Sequence, residues 1–107
     1  MTPTYFHIML SLVGDEQHGY AIMQEVERRT GGGLKLGPGS LYWALNRLVD
    51  EGLIEEHAER PAEGDDERRR YYRLTVDGQH VLQRETRILA DIVEHAREQE
   101  VLGGETS

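Results

Sequence analysis

Cysteine is absent from the chain, which excludes disulfides and thiolate-bound metal. The five histidines, His7, His18, His57, His80 and His95, are too scattered for local ligand spacing, so no structural metal and no cofactor is expected. No stretch approaches the roughly 18 apolar residues of a membrane span. The opening segment MTPTYFHIMLSLVGDEQHG lacks the basic region of a signal peptide. A soluble, cytoplasmic protein without a membrane partner is expected. Catalytic patterns are missing too. No acid/base pair is apparent, His18 has no nucleophile or carboxylate arrangement near it, and Gly31-Gly32-Gly33 lacks the lysine and following Ser or Thr of a P-loop. No catalytic residue, and hence no enzyme, is expected.

Net positive charge is also lacking. Twelve Lys and Arg stand against 20 Asp and Glu, a formal charge of −8, which argues against a nonspecific nucleic-acid coat. The distribution is uneven. Residues 76–107 hold three basic and seven acidic side chains, while Arg68-Arg69-Arg70 with Arg73 forms a concentrated cationic strip just before them.

What is present fits one small domain with an added element: 107 residues, 37% hydrophobic and 30% charged. Residues 3–13 read as a helix, with Pro3 in the first turn, Tyr5, Ile8, Met9 and Leu12 at helical spacing and Gly14 as the stop. A second helix is predicted over about 18–30. Tyr20, Ile22, Met23 and Val26 form its apolar side, and Arg28-Arg29 and the glycine run end it. Leu34-Lys35-Leu36 alternates and reads as a very short strand, and Gly37-Pro38 opens a third helix that runs to about Glu51. Two strands, 53–58 and 68–74, flank the turn-rich stretch Arg60–Asp66 and predict a β-hairpin. Thr75 can cap a last helix, with fraying after Leu102. The expected fold is mainly α with a small β-hairpin, a winged helix-turn-helix over 1–75. Residues 76–107 would be a C-terminal dimerisation helix and tail.

The third helix carries the functional signal. Leu41, Leu45 and Leu48 make one stripe, while Gly39, Trp43, Asn46, Arg47 and Asp50 lie opposite, with Ser40 and Tyr42 at the flanks. A helix with such an outward face can enter the major groove of B-DNA. Double-stranded DNA is therefore the expected partner. Ser40 and Asn46 are candidate base or phosphate contacts. Lys35, Tyr42 and Arg47 are candidate phosphate contacts, and Arg68, Arg69 and Arg70 are placed beside them by the hairpin. Solvated surface is the competing reading for each but Tyr42, for which it is partial burial at the edge of the core. Strand alternation puts Arg70, Tyr72 and Leu74 on one side, with Tyr72 and Leu74 toward the core, and Arg69, Tyr71 and Arg73 on the other. For Trp43, packing in the core or at an interface ranks above a base contact. Val81, Leu82, Ile88, Leu89, Ile92, Val93 and Ala96 form a seam with seven-residue spacings that suits self-association, so a homodimer is expected. The rival is a winged-helix protein-interaction module in which Trp43 and the acidic surface bind another protein; salt-sensitive binding separates the two.

The segments His18-Gly19-Tyr20, Gly39–Leu48, Glu51-Gly52-Leu53-Ile54 and Arg70–Thr75 with Gly78 resemble, in order and spacing, the PadR family of transcriptional regulators, over about residues 8–82. The resemblance implies a homodimer, usually a repressor, that binds a palindromic operator and dimerises through a C-terminal helix. A single short C-terminal helix is similar to the smaller subgroup, some of whose members bind planar small molecules at the dimer interface; a small-molecule effector is an open expectation. The chain departs from the pattern in lacking a Ser or Thr near Gly37 and in its acidic wing tip, Glu63, Asp65, Asp66 and Glu67. That tip makes the arginines at the base of the wing, rather than its end, the expected phosphate contacts.

Overall fold

The computed structural model describes residues 1–59 and 69–100. The helices are α1 (Pro3–Ser11), α2 (Gly19–Arg29), α3 (Pro38–Asp50) and α4 (Val76–Glu98), and the strands are β1 (Gln17–His18), β2 (Ile54–Glu59) and β3 (Arg69–Leu74). The strands form one antiparallel sheet in the order β1-β3-β2. The wing-turn residues Arg60–Asp66, with Glu67 and Arg68, lie outside the described residues, as does the expected fraying point at Leu102.

Local chemistry sets the element ends. Thr2 and His18 cap α1 and α2, Thr2 Oγ1 accepting from Tyr5 N at 3.5 Å and His18 Nδ1 from Ala21 N at 3.2 Å. Pro38 occupies the first turn of α3, where its missing N–H costs nothing. Gly52 follows α3 at φ +76°, and Leu53 N returns to Leu48 O at 3.0 Å, closing the helix with a left-handed glycine cap. Thr75 joins this turn to α4. Its hydroxyl donates to Gly52 O at 2.7 Å and accepts from Gly78 N at 2.9 Å. Gly78 lies so close against the Leu53 carbonyl that a Cβ there would overlap it.

The core is the convergence of one stripe from each element. Ile8, Met9 and Leu12 of α1 and its cap meet Ile22 and Val26 of α2, Leu41, Ala44, Leu45 and Leu48 of α3, Ile54 of β2, Tyr72 of β3 and Leu82 of α4. At about 25 cal/mol per Å² of apolar surface buried, these contacts are the main force holding α3 in place. A second, polar tie joins α1 to α2. Arg29 donates through Nη1 to His7 O at 3.2 Å and through Nη2 to Ser11 Oγ at 3.1 Å. Burial first, and the adjacent Arg29 guanidinium second, lower the His7 pKa below its ordinary 6.5. Among the described residues no helix is long and apolar enough to cross a membrane.

Two expectations need correction. Leu34-Lys35-Leu36 is not a strand: it pairs with none of β1, β2 or β3. Leu34 and Leu36 instead pack their side chains on the core, and Thr30 Oγ1 accepts from Leu34 N at 3.0 Å. The third strand is Gln17–His18, paired with Tyr72 and Tyr71. The first helix also stops at Ser11, before Leu12 and Val13, with Gly14 at φ +78° in the turn that follows.

Candidate nucleic-acid interface

Helix α3 presents two faces of opposite character. Leu41, Ala44, Leu45 and Leu48 are buried, while Gly39, Ser40, Tyr42, Trp43, Asn46, Arg47 and Asp50 are exposed. The burial of the first set fixes the outward direction of the second, since a helix held along one stripe cannot rotate without exposing it. Gly37 caps the helix without a side-chain hydrogen bond, and there is open space where side chains on Gly37 and Gly39 would begin.

The candidate cations are held loosely. Lys35 lies 3.6 Å from Glu27, Arg47 3.5 Å from Glu51 and Arg70 3.1 Å from Glu56, with 75%, 58% and 65% of the three basic side chains exposed. Exposed pairs of this kind are worth about 0–1 kcal/mol, so a phosphate can displace the carboxylate. Arg73 is similarly paired with Glu55 at 3.0 Å, directly across the β2–β3 ladder. Arg69 falls in β3 opposite Glu59. Its side chain and the whole of Arg68 lie outside the described residues.

Sequence reasoning missed the partners that orient this region. Glu56 stands opposite Tyr72 and receives the Arg70 guanidinium. Tyr72 is buried and hydrogen-bonded to Glu56, and its phenol is pushed up to about 12, by burial first and then by the Glu56 carboxylate and the Tyr42 phenol, with Arg70 opposing. The β2–β3 register, once known, would have revealed Glu56. On the other sheet face Tyr71 lies between two imidazoles, edge-on to His18 at 5.7 Å and stacked on His57 at 6.0 Å. His57 Nε2 also reaches Glu16 at 3.4 Å. A row of rings thus crosses all three strands and fastens the wing to the start of α2.

The expected association seam divides. Leu82 is buried against the core of its own chain and Val81 and Ala96 are half-buried, whereas Ile88, Leu89, Ile92 and Val93 are each 44–57% exposed. Ile88, Leu89 and Ile92 line a concavity of about 430 Å³ with Pro3, Phe6 and His7 of α1.

Comparison with known proteins follows the same outline. A family model described as "Transcriptional regulator PadR-like family" matches residues 9–84. The chain is 34% identical over 100 residues to Transcriptional regulator Rv3488 of Mycobacterium tuberculosis, covering 94% of this chain and 83% of that protein. Its fold is similar to a PadR family transcription regulator of Clostridium difficile, with TM-score 0.76, 24% identity and coverage of 91% and 97% of the two chains. It is also similar to Bacillus subtilis PadR in complex with operator DNA, with TM-score 0.71, 24% identity and coverage of 80% and 47%.

Proposed function

The chain belongs to the PadR-like family of transcriptional regulators, and from that premise we propose that it works in the cytoplasm as a homodimer that binds a palindromic operator and represses transcription. The observation that carries this reading is the division of α3: four buried apolar residues on one side, and opposite them an exposed face with Ser40 in the first turn and Asn46 and Arg47 two turns further on. A two-fold dimer would set two such helices into successive major grooves, about 34–36 Å apart on one face of the duplex. Residues 1–75 would read DNA and residues 76–107 would hold the dimer together.

Ser40 and Asn46 are the base-edge candidates, Asn46 through the bidentate pairing an amide makes with adenine. Lys35, Tyr42, Arg47 and the wing arginines Arg68, Arg69 and Arg70 would sit on phosphates. Bacillus subtilis PadR, a similar fold, is held in complex with operator DNA, which favours DNA as the partner of this chain. The exposed Ile88, Leu89, Ile92 and Val93, with the concavity against α1, favour self-association through α4. A small-molecule effector that altered this seam would change the spacing of the two readers and so the occupancy of the operator. Nuclease protection of the DNA upstream of the protein's own gene tests the proposal. Protection of an inverted repeat by the purified chain supports it, and protection of no defined site refutes it.

A further inference from the structure

Trp43, the only tryptophan of the chain, is 63% exposed. Packing in the core, one of the uses ranked first for it from sequence, therefore accounts for a minority of its surface. An indole left this open needs a cover, and the geometry says which. Trp43 lies with Gly39, Asn46 and Asp50 in the middle of the α3 face opposite Leu41, Ala44, Leu45 and Leu48. One turn earlier, a Cβ placed on Gly39 would meet nothing within 4 Å among the described residues, so the first turn of the helix beside the indole is open to an approaching partner. From behind, Tyr5 of α1 stacks on the indole with centroids 6.4 Å apart and planes at 27°, which limits its rotation. Beside the pair runs an open groove of about 810 Å³, bounded by Leu34, Lys35, Gly39 and Ser40.

The cover is not the dimer seam. The concavity that holds Ile88, Leu89 and Ile92 shares no lining residue with the groove at Trp43. Helix α1 separates them, turning Tyr5 to α3 and Phe6 to α4.

We infer that Trp43, buttressed by Tyr5, reads thymine through the apolar contact between its indole edge and the thymine 5-methyl group. This rests on the proposed entry of α3 into the major groove. Apart from one N–H, the indole offers only apolar surface. Of the groups that base pairs display in the major groove, the thymine methyl is the apolar one, the rest being hydrogen-bond donors and acceptors. Trp43 is thus a specificity-determining residue, and Tyr5 is the positioning residue behind it.

The test begins with duplexes selected by the full-length chain from a random pool. The selected site is resynthesised with uracil replacing each thymine in turn, which removes one methyl and nothing else, and affinity is read by fluorescence anisotropy. At one or two thymines of each half-site the substitution should weaken binding about fourfold, the worth of one buried methyl group. Trp43 emission should shift on binding. Trp43→Ala should bind the parent site more weakly and show no uracil penalty at those positions, with helicity unchanged and melting lowered only slightly, by loss of the Tyr5 stack. Tyr5→Phe should keep the penalty and Tyr5→Ala reduce it. An equal penalty in Trp43→Ala, or no thymine whose methyl matters, overturns the inference while selective, salt-sensitive binding leaves the DNA reading intact. If no sequence is selected at all, both fall together.

Discussion

The hydroxyl of Tyr42 occupies the place where a side chain on Gly19 would begin: a Cβ built on Gly19 would stand 2.7 Å from that oxygen and 3.3 Å from Leu41 Cδ2. The first residue of α2 and the flank of α3 therefore fit only because one of them is glycine. Tyr42 is the free end of a side chain and can swing away, whereas at Gly78 the obstacle is the Leu53 carbonyl, which is backbone. Gly19→Ala should cost about 1 kcal/mol and Gly78→Ala about 3 kcal/mol or more, since overpacking is cheap only where the neighbour can move. Chemical denaturation measures both. In a double-mutant cycle, Tyr42→Ala should remove most of the Gly19→Ala penalty.

Alkali should weaken the fold through Tyr72. Its phenol titrates near 12 in the folded chain against an ordinary 10, raised chiefly by burial and next by the Glu56 carboxylate. On raising the pH the unfolded chain loses its proton first, so the contribution is whole below pH 10 and is lost as pH climbs toward 12. The loss should be on the order of 2 kcal/mol. Tyr72→Phe should flatten the stability profile in that window.

His7 acts in the opposite sense. Its pKa lies below 6.5 in the folded chain, through burial and then Arg29, so the unfolded chain takes up the proton first on acidification. Stability should therefore decline as pH falls below 6.5, and His7→Gln should remove part of that decline in melts recorded from pH 7.5 downward.

The wing should contribute phosphate contacts that are indifferent to sequence. Arg70→Glu should lower affinity for selected and scrambled duplexes alike and reduce the slope of log affinity against log salt by about 1. A selective loss at the chosen site alone would move Arg70 from phosphate to base.

Self-association should depend on the exposed half of α4. Ile92 is 57% exposed and lines the concavity against α1, so Ile92→Glu should yield a monomer by sedimentation and abolish the concentration dependence of the melting temperature. Leu82, by contrast, is buried in the chain's own core. Leu82→Ala should therefore cost about 2–5 kcal/mol as a core truncation and leave the association state of the folded protein unchanged.

Much of this architecture was legible because strong local rules coincide with the packing. Pro38 at the start of α3, Gly52 after its end, the Leu41, Leu45 and Leu48 stripe and Thr75 as a cap each carry their meaning within a few residues. The alternation of β3 likewise put Tyr72 and Leu74 on the inner side, where they lie. What stayed hidden depends on partners distant in the chain. Gln17–His18 is too short to show a period and becomes a strand only because β3 offers it an edge. Leu34 and Leu36 alternate like a strand, but both side chains turn to the core and the segment pairs with none of the described strands. The Tyr5–Trp43 stack joins residues 38 positions apart, and the Arg29 ties to His7 and Ser11 join helices whose surfaces give no sign of each other.

The central claim, that the exposed face of α3 reads DNA in a dimer, is tested most directly by the salt dependence of binding. Affinity for the selected duplex and for a scrambled duplex should be measured at several salt concentrations under conditions where the stoichiometry is known. The account predicts one dimer per duplex, a preference of at least about 10³ for the selected sequence, and a log–log salt slope of several units. Equal affinity for both duplexes, or binding that salt leaves unchanged, would contradict it and assign this face to a protein partner.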